Sequence, residues 1–600
     1  MAAACQVVDV LGQDIRAQFV DRYVALELKE YRRIFKATDE AGQLDNVSTR
    51  FAWFRRLIQT HETETGRVFP GDWRVAWHLT AKFVEITRDD MTALLSKAGS
   101  SLTVKQLLDT LQEVLDFESS LAKKYATPME DILKATQPAG ASRPSKTISS
   151  TFESHMGVFV SAQDKALSDM MSQYRGSKSR SSLEASTPRA SQDDDDATRA
   201  SVLPSSTELF YFYAQNLDQC AKLFIGQPLY DLCQLHKKWL RIYAEDVLLS
   251  SMKRPASQIR RSVDNRVDMN ELRSVCTLIN TADYCHSTAQ ELEAKIKEKI
   301  MDDFKEKITF QEECELFINV VSAAILTLLH ELENATDPAF SALSRTAWST
   351  ISLVSGQSAY VDDLIRAIEN VMKTTKPLIE QKRYLRNFLD KASGLMFVKF
   401  TNALVKSRPL KEIGAEQLLI DLGILKSCLL RIPGDEHTTP NYTRNVTRNT
   451  TRLETLLKVI MTPVDPVEGF VLNYTLLIAD ASLSNFQKIL DLKGTPRTEQ
   501  NDLVDSFLQI TSTKTDLDST SFLSSLDMDP GTTIPNLQSP GGSRTNLTAG
   551  ESLIAALSSP TIAMGIDRSE TPPRADTSSK FSDLRRFVSF AVRRDSVQPS

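Results

Sequence analysis

Hydrophobic positions along this chain recur every three or four residues, the spacing of one face of an α-helix. Val20, Val24, Leu28, Tyr31 and Phe35 set the first stripe, within residues 6–37. Phe51, Phe54 and Ile58 set the next, inside RFAWFRRLI (50–58), where Arg50, Arg55 and Arg56 fall mainly off the apolar face. Interleaved basic and aromatic residues can stack bases; an amphipathic helix with a solvated basic side is the simpler reading in an acidic chain. Beyond Pro70-Gly71, with Asp72 as a candidate cap, a stripe runs from Trp73 through Val84 and Met91 to Leu94. Residues 102–125 predict another helix on Leu107, Leu111, Leu115 and Leu121. Helices resume at 205 with Leu209, Leu217 and Phe224, then Leu229, Leu232, Trp239 and Tyr243. From 271 to about 375 the pattern is nearly continuous helix, with a break near 334–338, and Pro377 opens a further long helix. Leu418, Leu422, Leu425, Leu429 and Ile432 follow with 4-3-4-3 spacing. Such a short seam favours bundle packing over a coiled coil. Residues 466–494 close the pattern. Pro466 opens a helix carrying Val467, Phe470, Val471, Tyr474 and Leu477. Ser482 or Ser484 caps the next, and Gly494 is the left-handed stop.

Composition divides the chain. Residues 1–135 read as a first helical bundle and 136–203 as a disordered Ser- and Pro-rich linker, with an ordered island at 151–174. A helical region at 204–250 precedes a flexible basic loop at 251–270, a plausible phosphorylation target. Central bundles occupy 271–432, a polar loop 433–450, and C-terminal bundle elements 451–510. A Ser/Thr/Pro-rich tail (511–579) reads as disordered, and 580–596 as a basic amphipathic helix. The fold class is therefore all-α: consecutive helical bundles with a disordered linker and tail.

The totals narrow the chemistry. Net charge is −6, which gives no global case for nucleic acid. Seven scattered cysteines form no CxxC pair, so reduced, buried thiols in a cytosolic protein are expected. The start, MAAACQVVDV, lacks the basic region and apolar core of a secretory signal. The sequons, bunched at Asn441, Asn445 and Asn449, are then expected to stay unglycosylated. The longest apolar run, 316–329, is shorter than the ~20 residues a membrane span needs and reads as a core helix. The four aspartates at 193–196 lack the Gly turn of a calcium loop. Cys220, Cys233 and His236 are too loosely spaced for zinc, and Asp362-Asp363 has no partner acid. No hydrolase elbow, Walker loop, HExxH or kinase motif occurs. Neither an enzyme nor a bound cofactor or metal is expected. No fixed 34- or 40-residue period points to a solenoid repeat.

Several strings in one collinear order carry a resemblance. LKEYRRIFKATDEAGQLDNVSTRFAWFRRLIQTHETETGRVFPGDWRVAWHL (28–79), FESHMGVFVSAQDKALSDM (152–170), VLPSSTELFYFYAQNLDQCAKLFIGQPLYDLCQLHKKWLRIYAEDVL (202–248) and the 466–494 stretch with the following TPRTEQNDL resemble the vacuolar protein sorting-associated protein 53 family. The resemblance implies an elongated rod of helical bundles, in a non-enzymatic subunit of the Golgi-associated retrograde protein complex (GARP) and of the endosome-associated recycling complex. Such a subunit would capture endosome-derived vesicles at the trans-Golgi network and support SNARE-mediated fusion. Its partners would be the other subunits, SNAREs and a Rab-type GTPase. It would lie in the cytosol, peripheral on trans-Golgi and endosomal membranes. The family's N-terminal coiled coil is expected to be absent from this chain. The alternative is a helical scaffold subunit of another membrane-trafficking assembly.

Two surfaces stand out as candidates. Lys488, Asp491, Lys493 and Arg497 flank the apolar stripe of the last helices and could meet a partner. In the tail, Phe581 and Leu584 share a helical face, and Arg585, Arg586, Arg593 and Arg594 add positive charge suited to a membrane surface.

Overall fold

The computed structural model describes residues 2–137, 146–175, 201–252, 268–354, 356–514, 517 and 519–528, and these fold as helices and connecting turns with no sheet among them. The first stripe is cut into α1 (Ala2–Leu11), α2 (Gln13–Glu27) and α3 (Lys29–Ile34), where spacing alone predicts one helix. Gly12, at φ 109°, makes the first cut, in a backbone conformation that only glycine holds cheaply. α4 (Val47–Thr60), α5 (Val75–Ala98), α6 (Val104–Tyr125) and the short α7 (Met129–Ala135) complete the N-terminal bundle. Phe54 stacks on Phe83 and Phe51 on Phe117, each with ring centroids 4.0 Å apart. Asp72 does not cap α5. Left-handed Arg74 holds that position, and Asp72 receives the Arg16 guanidinium at 3.2 Å.

Arg50 also departs from the expected solvated basic side. It is fully buried, donating to Asp90 (2.7 Å), the Tyr31 hydroxyl (3.0 Å) and the carbonyls of Phe35 and Gly42 (3.1 and 2.8 Å). Arg55 and Arg56 remain exposed.

The island at 151–174 contains α8 (Gly157–Ser172), and two carboxylates fasten this region to its neighbours. Glu118 of α6 accepts the Ile148 and Ser149 amides (2.7 and 3.2 Å) and the Ser149 hydroxyl (2.7 Å). Asp164 of α8 accepts Lys238 (2.8 Å) and the Trp239 indole (2.6 Å). Both donors lie on α10 (Gln227–Ile242), which follows α9 (Pro204–Leu223).

The central helices are α11 (Met269–Lys299), α12 (Gln311–Arg345), α13 (Ala359–Thr375), α14 (Lys382–Lys406), α15 (Lys411–Arg431) and α16 (Pro440–Met461). Three boundaries differ from the expected ones. No break occurs near 334–338: Pro338 sits exposed inside α12 while Thr336, Ala339 and Phe340 around it are buried. Lys399 of α14 also grips Glu333 at 2.8 Å and pairs with Asp337. Tertiary packing thus carries the helix past the missing amide. Pro377 does not open α14, which begins at Lys382. Asn280 of α11 instead satisfies the connection, donating to the Leu378 carbonyl (2.8 Å) and accepting the Glu380 amide (3.2 Å). The polar loop expected over 433–450 gives way to helix at Pro440. Thr439 caps it through the Tyr442 amide (3.2 Å), and Tyr442, Val446 and Thr450 face inward.

Packing follows chain order. α11 lies along α12, which also meets α13 and α14; α15 lies along α16; α9 and α8 reach back to α6. One hydrophobic core runs from Cys5 to Leu526. α12 holds the most apolar stretch, long enough by composition to cross a membrane, yet half of that window is buried within the described residues. Phe317, Val321, Leu328 and Leu332 are core residues there. All seven cysteines are buried free thiols.

Candidate partner surface on the C-terminal helices

The last helices are α17 (Val467–Leu477), α18 (Leu483–Lys493) and α19 (Arg497–Ser512). Pro466 stands at the N-cap of α17, just before the first helical residue. Four rings form the centre. Phe486 stacks on Phe507 at 4.4 Å and meets Tyr474 edge-on at 5.0 Å, while Phe470 closes the group at 6.1 Å from Phe486. Burial, with Asp480 nearby, pushes the Tyr474 hydroxyl well above its ordinary pKa.

The turn into α18 is built on Asp480. Its buried carboxylate accepts the Ser482 amide (2.6 Å), the Asn485 side chain (2.8 Å) and the Thr520 amide (2.6 Å). Ser482 is the cap, its hydroxyl facing the Asn485 amide at 3.5 Å. Gly494 ends α18 at φ 81°, where an added Cβ would lie 2.2 Å from Pro409. The described part of the region beyond 511 is also folded: α19 runs to Ser512, and a turn of helix at Ser521–Ser524 packs back through Leu523 and Leu526. The Asp480–Thr520 bond explains why a Ser- and Thr-rich segment stays in place here.

This geometry removes two of the four candidate contact residues. Lys493 is only 4% exposed, its ammonium donating to the carbonyls of Ile460 (2.7 Å) and Thr462 (2.9 Å) and to Glu412. Burial lowers its pKa, and Glu412 opposes the shift. Lys488 donates to the carbonyls of Leu523 (2.8 Å), Ser524 (3.1 Å) and Leu526 (3.0 Å), closing the C-terminal end of that short helix. Both lysines hold the module together. Asp491 and Arg497 remain exposed.

The surface has an apolar part that periodicity misses. Leu472 and Leu476, four residues apart on α17, are 47% and 79% exposed. Leu477, expected in the buried stripe, is 39% exposed. The cue was present in the sequence: α17 is apolar on nearly all sides, as a helix covered on two faces would be. Exposed Glu499, Asp502 and Asp505 make α19 acidic. This face offers burial and charge, and no nucleophile–base pair. Among the described residues no three metal-ligating side chains converge. Asp362 accepts a hydrogen bond from Gln357 (2.6 Å), and Asp363 pairs with Arg366 (3.2 Å). The tail candidates Phe581, Leu584, Arg585, Arg586, Arg593 and Arg594 lie outside the described residues.

Two family descriptions match the chain: "Vps53, N-terminal" over residues 1–179 and "Vacuolar protein sorting-associated protein 53 C-terminus" over 416–495. The second takes in α15 to α18. Vacuolar protein sorting-associated protein 53 A of Arabidopsis thaliana is 28% identical, with 84% of this chain and 66% of that protein aligned. The Caenorhabditis elegans homolog is 26% identical, over 84% and 63%. The Saccharomyces cerevisiae protein is 24% identical, over 82% and 62%. The chain thus spans somewhat less than two thirds of the length of these relatives. With both terminal domains matched and the alignments running through most of the helices between them, the chain belongs to the vacuolar protein sorting-associated protein 53 family.

Proposed function

We propose that the chain is a non-enzymatic subunit of a vesicle-tethering complex of the GARP and endosome-associated recycling type. It works by binding, capturing endosome-derived vesicles at the trans-Golgi network and supporting SNARE-mediated fusion there. Its partners are the other complex subunits, SNAREs and a Rab-type GTPase, and it acts from the cytosol on trans-Golgi and endosomal membranes. The observation that carries this reading is the pair of family domains, one at each end of a helical chain with a continuous core. Serial helical packing suits such work, because contact sites far apart in the chain are held by stacked elements.

Within this reading, the C-terminal helices form a partner surface: Leu472 and Leu476 of α17 supply apolar area, and Asp491 of α18 and Arg497 of α19 are its exposed charged residues. The basic segment 580–596 adds a salt-sensitive membrane contact through Phe581, Leu584 and its arginines. The test is vesicle capture by the assembled complex, with co-isolation of its subunits on the full chain. Neither occurring would point instead to a scaffold of another trafficking assembly.

A further inference from the structure

We propose that the outward face of α16 docks on the phosphate groups of an anionic phospholipid membrane. At 3.6 residues per turn, Arg444, Arg448, Arg452 and Lys458 fall within an arc of about 120°. All four are exposed, and Thr451 lies between them. No acidic residue of α16 shares the arc; Glu454 sits at its edge, tied to Lys426 at 3.1 Å. None of the four cations has an ion-pair partner among the described residues.

The arrangement works against the helix that bears it. Like charges four residues apart repel, and Arg444 stands near the positive end of the helix dipole. At that end Arg444 and Arg448 border an open hollow of about 770 Å³, lined otherwise by Thr438, Thr439, Thr443 and Thr447 and by Pro440. Lys382 and Arg386 of α14 bear on the same end. After burial, and against Glu436, they join Lys376 in lowering the pKa of His437. Asp435 and Glu436 are the acids of that turn.

The chemistry selects the occupant. Between residues 421 and 471 no large apolar side chain is exposed among the described residues. The face therefore lacks the buried anchor that organises a protein interface, and nothing here would enter acyl chains. It offers guanidinium and hydroxyl groups, which recognise phosphate through charge-assisted and bidentate hydrogen bonds. A row of three arginines meets a surface of many phosphates without needing one fixed partner, and its attraction is screened by salt. This inference stands apart from the tethering reading and from the C-terminal partner surface.

The test is flotation of the full chain with vesicles of phosphatidylcholine alone, with added phosphatidylserine, and with added phosphatidylinositol phosphate. Every protein carries R585E, R586E, R593E and R594E, so the tail does not mask the result. Binding to both anionic vesicles and not to the neutral one is expected, falling at least about tenfold in R444E/R448E/R452E and largely retained in R444K/R448K/R452K. Unchanged flotation of a reversed variant with native circular dichroism would overturn the proposal. So would no binding to any vesicle, the result expected if an acidic protein is the true partner. If the triple variant does not fold, single reversals at each arginine serve: each should lower both binding and its salt dependence, and no change in any of them would also overturn it.

Discussion

Lys493 shows how much a single residue can hold in this protein. Its ammonium gathers the last carbonyls of α16 and the Glu412 side chain of α15, joining three helices at one buried point. Removing it leaves two carbonyls and a carboxylate without their donor. K493A should cost about 2–4 kcal/mol, read as faster hydrogen exchange at 456–494 and a lower denaturant midpoint. His236 makes a pH-dependent contribution. It is fully buried and stacked at 4.1 Å on Tyr213, and both ring nitrogens lack a partner. Burial pushes its pKa down to about 3. The unfolded chain takes the proton near the ordinary value of about 6.5. Between those values the unfolded state binds more protons, so the stability from neutral His236 is present above about pH 6.5 and is lost as pH falls toward 3. The loss should reach at most about 1.4 kcal/mol per pH unit. H236F should flatten the wild-type melting curve against pH between 6.5 and 4, and equal slopes would contradict the account. Neither role was legible in the sequence. Lys493 reads there as one more solvated lysine, because its acceptors lie some thirty and eighty residues away. Arg50 misleads in a similar way: spacing puts it off the apolar stripe, and its cage comes from Tyr31, Phe35, Gly42 and Asp90, all on other elements.

At the scale of elements, periodicity found the helices and erred mainly where one residue type carries two meanings. Pro440 and Pro338 are the examples. Pro440 takes a first-turn position, where proline fits. The stripe behind it, Tyr442, Val446 and Thr450, is half polar and so resembled loop. Pro338 does sit in a helix interior, and packing on both sides overrides it. Its ring is exposed, so little contact is lost on replacement. P338A restores an amide opposite the Asn334 carbonyl and should stabilise α12 by about 1–3 kcal/mol, seen as a higher melting temperature; a lower one would mean that the packing needs the proline ring. The apolar surface of α17 was half legible. Its composition is apolar throughout, but which face the core takes depends on Phe486 and Phe507 from other helices.

At the scale of the molecule, the all-α class and the serial arrangement were readable, because each helix buries its stripe mainly against helices near it in the chain. The collinear order of unremarkable amphipathic strings carried the family, and its two domains lie on one continuous core. The working surface was less readable, since binding faces are defined by what the core leaves uncovered. The central claim, a tethering subunit that uses the outer face of α17, is tested most directly by vesicle capture with L472D/L476D in the assembled complex. Both side chains point away from the aromatic core, so the variant should fold and keep the melting temperature of the wild type. The account predicts that capture of endosome-derived vesicles by the wild-type complex falls at least about tenfold, as expected when two apolar contacts are lost from an interface. Equal capture by a folded variant would contradict it.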